Sequence, residues 1–311
     1  MCLAAAGFFE NGGRELWVVR VGGAGGADDW RAALQMLDHA DLDGVSLVCA
    51  PGVGDPGNPA HVIIQRGLVA HCEARRDRFA VLDGPAGAVD LAGLDPRASV
   101  ADSAFAAFYH PWIEIADPET GTPVMAPPGG HVLGVYARSD AERGVFEAPA
   151  NEALVGATGL AQEIGDAAQE MLNPRGVNLI RRFPGRGILV WGARTLSSDP
   201  EWKYVPVRRL FIFLETSIDR GLQWVVFEPN AEPTWVQVRA AVEQFLLDQW
   251  RAGALQGPRP QDAFFVRCDR GTMTQADIDA GRLICEIGVA PVRPAEFVIF
   301  RIGQWTAEAQ R

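Results

Sequence analysis

Residues 15–82 set the strongest limit on the fold, because apolar runs too short for helices alternate there with segments of helical period. Residues 15–21 (ELWVVRV), 45–50 (VSLVCA) and 79–82 (FAVL) have the length and β-branched content of strands. Between the first two, Asp28 is placed to cap a helix to about residue 40, with Trp30, Ala33, Leu34 and Leu37 on one face. Between the second and third, Asn58-Pro59 supplies a cap followed by proline at the first helical position. A helix from there to about Arg75 points Ile64, Leu68 and Cys72 inward. Strand–helix–strand–helix–strand predicts a parallel sheet with right-handed crossovers.

Further along, residues 105–115 (FAAFYHPWIEI) read as one more strand, 127–143 as a helix, 162–172 as a short helix ended by Asn173-Pro174, and 188–191 as a short strand. After a break near residues 197–202 the pattern becomes α+β. Val207, Leu210, Phe211, Leu214, Ile218 and Leu222 keep helical spacing. Thr234 with Gln237 reads as a capping box opening a helix that buries Val238, Val242, Phe245, Leu246 and Trp250. Residues 264–268, 283–289 and 297–302 read as strands, the last two spaced to pair across residues 290–295. The expected organisation is an α/β domain over residues 1–196 and an α+β domain over residues 197–311, and 311 residues are enough for two cores.

A net charge of −11 and a pI of about 5.0 argue against a nucleic-acid partner, which needs a basic face. Lys203 is the only lysine; the other cations are arginines. The five cysteines, Cys2, Cys49, Cys72, Cys268 and Cys285, form no CxxC and read as reduced thiols of a protein made in the cytosol. No run has the length of a membrane span, and the apolar start lacks the basic residues of a secretion signal.

Catalytic signals are weak. The glycines from Gly22 to Gly26 follow one expected strand and precede one expected helix, where a phosphate loop would sit. The spacing meets G-x-G-x-x-G only in part, no Gly-Lys-Ser/Thr follows, and Asp28-Asp29 stands where phosphate would approach, so a turn is favoured. The five histidines make no H-E-x-x-H, and Ser46 sits in an apolar strand rather than a nucleophile elbow. No catalytic residue, cofactor or metal ligand is expected. The arginines at 181, 182 and 186, and the Arg208-Arg209 pair, suit either internal ion pairs with Glu201, Glu215 or Asp219, or a surface on an acidic partner. Phe297, Val298, Ile299, Phe300, Arg301 and Ile302 form a run apolar on both faces, which fits a central strand or a strand added to another copy.

Residues 173–230 are dense in Gly, Pro, Arg and Trp yet hold no catalytic set. They contain much of a long collinear set of motifs. Residues 8–14 (FFENGGR) precede VVRV at 18–21; residues 127–151 run PPGGHVLGVYARSDAERGVFEAPAN; 172–178 read LNPRGVN and 185–196 GRGILVWGARTL. Residues 205–218 (VPVRRLFIFLETSI), 224–230 (WVVFEPN) and 288–302 (GVAPVRPAEFVIFRI) complete it. Over nearly its whole length the chain thereby resembles the contractile tail sheath proteins of phage tails, R-type bacteriocins and extracellular contractile injection systems.

The resemblance implies a subtilisin-like, parallel-sheet α/β sheath domain followed by an α+β C-terminal sheath domain. It implies a structural protein, not an enzyme, built into a phage tail or tail-like particle in the bacterial cytoplasm. Subunits stack helically around an inner tube and contract to drive it through a target envelope. The implied partners are further copies or a sheath paralogue, the tube protein, and baseplate and cap proteins, with no nucleic acid and no membrane insertion. Terminal arms of family members add strands to neighbouring C-terminal domains, which assigns residues 297–302 to that role. Arg251, Arg208 and Arg209 are candidates for facing the tube or a neighbour. Family members carry a segment with an N-terminal arm before the FF-x-NGG motif, which begins here at Phe8, so the chain reads as lacking it. The alternatives are a nucleotide-using α/β enzyme built on the Gly22–Gly26 turn, and a minor sheath-like adaptor at a baseplate or cap.

Overall fold

The computed structural model describes residues 2–23, 26–52 and 61–296. The expected parallel sheet is present. Its strands are β1 (Leu47–Cys49), β2 (Phe79–Asp83), β3 (Ala106–His110), β6 (Glu152–Ala153), β8 (Val177–Phe183) and β9 (Gly187–Trp191). Their order is β1-β2-β3-β8-β9-β6. The first four are mutually parallel, and β9 runs antiparallel to β8 and β6. A second, antiparallel sheet, in the order β5-β4-β7, is made by β4 (Ile113–Ala116), β5 (Pro123–Ala126) and β7 (Ala157–Leu160). Residues 105–115 are thus two strands rather than one: Pro111 has no N–H for a ladder, and the chain changes sheets there.

Strands β2 and β3 are buried on both faces because helices cover both. Phe79, Val81, Ala107, Tyr109 and Ile180 pack with Val132, Val135 and Tyr136 of α5 (Gly129–Glu142) and Ile212 of α7 (Val205–Gly221). Ala80, Leu82, Phe108 and Leu179 pack instead with Leu68, Val69 and Cys72 of α3 (His61–Arg75) and Leu172 of α6 (Asp166–Leu172). Each such aliphatic contributes about 1.5–3 kcal/mol on full burial. Helices α2 (Ala27–Met36) and α4 (Pro96–Ser99) follow the first helical pattern and the Asp95 cap. The Asn58-Pro59 helix start lies outside the described residues.

Three expectations fail here. Residues 15–21 form no strand, although they alternate as one; the chain is irregular, with Trp17 55% and Val18 57% exposed. A strand needs a partner's N–H and C=O groups, and none of the described strands pairs with this segment. Asp28 does not cap α2: Gly26 holds the cap position and Asp29 accepts from its N–H at 3.1 Å. The apolar start forms a helix, α1 (Cys2–Glu10). And Thr234 is not a cap: α8 (Glu232–Arg251) begins two residues earlier, with Pro233 in its first turn, and Thr234 donates to the Pro229 carbonyl.

The docking of α1 explains the glycines of the 127–151 motif. Gly130 and Gly134 are four apart on α5, hence on one face. A Cβ on Gly130 would lie 2.2 Å from the Ala4 carbonyl oxygen, and one on Gly134 would lie 2.4 Å from that of Phe8. The backbones touch where side chains normally intervene. Asn11 of the FF-x-NGG motif then bonds across to Val155 in both directions, at 3.1 and 2.9 Å. Gly134→Ala is expected to cost about 1–3 kcal/mol by overpacking and to lower the unfolding temperature by several degrees. An unchanged midpoint in a thermal scan would contradict this contact.

Beyond residue 200, α7 and α8 pack on a two-stranded antiparallel ribbon of β10 (Phe264–Arg267) and β11 (Glu286–Val289). Helix α9 (Pro260–Ala263) leads into β10, and α10 (Gln275–Asp279) lies between the strands. Strand β11 pairs with β10; residues 297–302, expected as a further strand, lie outside the described residues.

Candidate functional site

The last described residue, Glu296, is held by Asn173 and Arg194, from two of the sequence motifs, and by Lys203 and Tyr204, just before a third. Arg194, just beyond β9, donates from Nε to Oε1 at 2.6 Å and from Nη2 to Oε2 at 2.7 Å. This is the two-pronged geometry that suits guanidinium to carboxylate. Asn173 donates to Oε1 at 2.9 Å, Tyr204 to Oε2 at 3.1 Å, and Lys203 lies 3.5 Å from Oε2. Arg194 itself is fixed from behind. Its Nη1 donates to the Asn173 carbonyl at 3.0 Å, and Asn178 of β8 clamps its backbone, accepting from its N–H and donating to its carbonyl, both at 2.7 Å. Gly192 is required at this spot, since a Cβ there would stand 2.8 Å from Asn178 Oδ1. Burial alone would push the Glu296 carboxyl up; the hydrogen bonds from Arg194 and Asn173 outweigh it and hold it at about 2. Asn173, Gly192, Arg194, Tyr204 and Glu296 line a cavity of about 710 Å³, together with Trp191.

A second junction joins α5 to α7. Arg209 donates to Asp140 at 2.9 and 2.5 Å and stacks 4.9 Å from the Tyr136 ring, whose hydroxyl meets that of Tyr109 at 2.7 Å. Arg208 lies 3.5 Å over the Trp202 ring and 4.6 Å from Phe105. Both arginines are 5% exposed. Within the subunit they are packed against Asp140, Tyr136, Trp202 and Phe105 rather than laid open on its surface. Arginine stays charged at this depth, so its lost hydration must be offset by a carboxylate or an aromatic face, and this pair uses one of each. Arg251, on the last turn of α8, is exposed and 3.4 Å from Asp248.

Elsewhere among the described residues, the groups placed where chemistry could occur are otherwise engaged. Asp29 puts its carboxylate on the Gly26 N–H at 3.1 Å, filling the helix start where phosphate would bind. Asp83 and His110 sit at the carboxyl ends of β2 and β3, the usual ligand edge of such sheets. They line neither described cavity, and burial works against their use: it lifts the Asp83 carboxyl to about 7 and lowers His110 to about 4. Burial also lowers His131 to about 4. Among the described residues, no group of His, Cys, Asp or Glu is placed to hold a metal, and no helix is long and apolar enough to cross a membrane.

These shifts fix a pH profile. His110 and His131 are neutral in the fold, so the stability they give is present above 6.5 and is lost as pH falls towards 4. Asp83 has the opposite sign, gaining as pH falls from 7, but one group is outweighed by two. Glu296 adds a further loss from 4.5 towards 2. The unfolding temperature is expected to fall between pH 6.5 and 4 and more steeply below 4.5, and His131→Gln is expected to flatten the first part. A profile that is flat down to pH 4 would contradict the burial of these histidines.

Sequence reasoning placed Asn173, Asn178, Arg194 and Glu296 inside motifs but gave none of them a role. The only signal was that each lies in a conspicuous motif without chemistry of its own.

Comparison with known proteins agrees with this architecture. The phage tail sheath protein central domain matches residues 23–196, and the phage tail sheath C-terminal domain matches residues 197–304. A prophage major tail sheath protein of Pseudomonas aeruginosa (strain UCBPP-PA14) is 28% identical over 298 residues, covering 93% of this chain and 73% of that protein. Among solved structures, a sheath complex of an extracellular contractile injection system, PVC, in the contracted state superposes with a TM-score of 0.84 at 37% identity, over 99% of this chain and 81% of that one. A chain of the anti-feeding prophage baseplate gives 0.86 at 35% identity, over 98% and 80%. The chain belongs to the phage tail sheath family and is a structural subunit of a contractile sheath.

Proposed function

We propose that copies of this chain, or this chain with a sheath paralogue, stack helically around an inner tube, and that the stack contracts to drive the tube through a target envelope. Assembly takes place in the bacterial cytoplasm, with baseplate and cap proteins at the ends, and no step is catalytic. Residues 1–196 and 197–311 act as two units. The observation that carries this reading is the likeness, over 99% of the chain, to a subunit from a contracted sheath.

In this reading Phe297, Val298, Ile299, Phe300, Arg301 and Ile302 add a strand to a neighbour. The acceptor is the β10–β11 ribbon. It has two strands of four residues and no third among the described residues, with Phe265 50% exposed on it. So small a sheet is marginal alone and gains from an added strand. The Glu296 cluster is the root of that strand: it sets where the terminal segment leaves the subunit. Arg251 is the arginine left to face the tube or a neighbour.

The test is electron microscopy of particles from cells expressing the chain with its tube and baseplate partners. Helical sheaths containing the chain are expected. A soluble monomer with no assembly partner would overturn the reading. A minor place at a baseplate is the second reading, favoured by the likeness to a baseplate-resident chain. Copy number separates them: many copies per tube length support a sheath, and a single ring per particle supports a baseplate role.

A further inference from the structure

The rungs of the β10–β11 ribbon bring two cysteines face to face. The register pairs Phe264 with Val289, Phe265 with Gly288, Val266 with Ile287 and Arg267 with Glu286. One step further, Cys268 stands opposite Cys285. The Ala290 N–H donates to the Ala263 carbonyl at 2.8 Å, so Ala263 and Ala290 make a hydrogen-bonded rung. Rungs of an antiparallel pair alternate between hydrogen-bonded and non-hydrogen-bonded. Counting along the ladder puts Cys268 and Cys285 at a non-hydrogen-bonded position, where facing Cα atoms approach to about 4.5 Å. A disulfide spans Cα separations of about 4.4–6.8 Å.

The side chains also share a face. Val266 and Cys268 are buried while Phe265 and Arg267, which alternate with them, are exposed, so Cys268 and the facing Cys285 point inward. The two thiols are free and near enough to shift each other's titration. The loop between them is already ordered: Thr272 donates to the Ile284 carbonyl at 2.8 Å, and Thr274 and Asp277 form a capping box at the start of α10. Little backbone movement separates the thiol pair from a bridge.

We propose that Cys268 and Cys285 are an oxidation site, joined to a disulfide by a low-molecular-weight disulfide such as oxidised glutathione. One cysteine thiolate attacks a sulfur of the oxidant, forming a mixed disulfide and expelling one glutathione thiolate. The second cysteine attacks the mixed disulfide at the protein sulfur, the intramolecular bond forms, and the second glutathione leaves. Two protein thiols are oxidised, one glutathione disulfide is reduced to two thiols, and the two protons lost by the cysteines are taken up by the leaving thiolates. The bridge closes residues 269–284 into a loop and staples the ribbon across its end. In a reducing compartment the pair stays open, and in an oxidising one it bridges. This rests on the ribbon's register and not on the sheath reading.

Burial raises both thiols, Cys285 to about 12, with Arg239 pulling the other way. Bridging is therefore expected to be slow at neutral pH and to speed up about tenfold per pH unit, as the thiolate fraction does. The experiment treats the purified full chain with oxidised glutathione, blocks remaining thiols with an alkylating agent under denaturing conditions, and maps tryptic peptides. Arg267, Arg270 and Arg282 separate the two cysteines into different peptides. The expected result is a linked Cys268–Cys285 peptide, lighter by two hydrogens than its parts, with Cys49 and Cys72 alkylated. Recovery of Cys268 and Cys285 as separate alkylated or glutathione-bearing peptides after prolonged oxidation would overturn the proposal. So would Cys268 linked to another cysteine in Cys285→Ser, where only a glutathione adduct is expected.

Discussion

Glu296→Ala is expected to leave a folded but weakened subunit that no longer assembles. The substitution strips Arg194, a residue 9% exposed in the intact subunit, of its two-pronged partner, and it also strands the Asn173 amide and the Tyr204 hydroxyl. Breaking a buried pair by removing one partner costs about 3–5 kcal/mol. Glu296 keeps 19% of its side-chain surface, which places the loss near the lower end, about 3 kcal/mol. For a chain of this size that is about 6–12 °C in unfolding temperature. Loss of assembly is expected on the proposal that residue 296 roots a strand shared with a neighbour. A cycle with Arg194→Met separates the pair from its surroundings: the double variant is expected to be about 2 kcal/mol more stable than the sum of the singles implies. Additive losses, or normal sheaths from Glu296→Ala, would remove Glu296 from this role.

Ending the chain at Glu296 is expected to have the larger effect on assembly and the smaller one on folding. On the proposed reading, residues 297–311 belong to a neighbour's sheet and not to the cores of their own subunit. The truncated protein should therefore keep its helical content and nearly its full unfolding temperature, yet form no sheath. Each exchanged strand need contribute only a few kcal/mol, because linked contacts along a lattice act together. A truncated chain that folds and still polymerises would assign the connection between subunits to another surface.

How much of this was legible in the sequence depended on how local the signal was. The β1–α3–β2 crossover was readable because each element carries its own period and its own breaker. β8 was not recognised, because Asn178, Arg181 and Arg182 break the apolar pattern. Each proves to have a partner: Asn178 clamps Arg194, Arg181 bonds the Ile164 carbonyl and Asp166, and Arg182 bonds Glu163. Residues 15–21 err the other way, since a strand pattern records what a segment can do and not whether an edge is available to it. The Glu296 cluster lies beyond local reading altogether. Its members are up to 123 residues apart, and only the fold brings them together. Arg208 and Arg209 look alike in sequence, but one rests on a tryptophan ring and the other on Asp140, a division that depends on the angle between α5 and α7.

The central claim is that subunits are joined by the terminal strand, rooted at Glu296 and received by a neighbour's β10–β11 ribbon. Cryo-electron microscopy of the assembled sheath, at a resolution that traces the backbone, tests it most directly. The account predicts continuous density from Glu296, with its carboxylate on Arg194, into a strand that extends the β10–β11 ribbon of an adjacent subunit. Density for residues 297–302 folded back within the same subunit, or a ribbon that keeps two strands in the assembled particle, would contradict it.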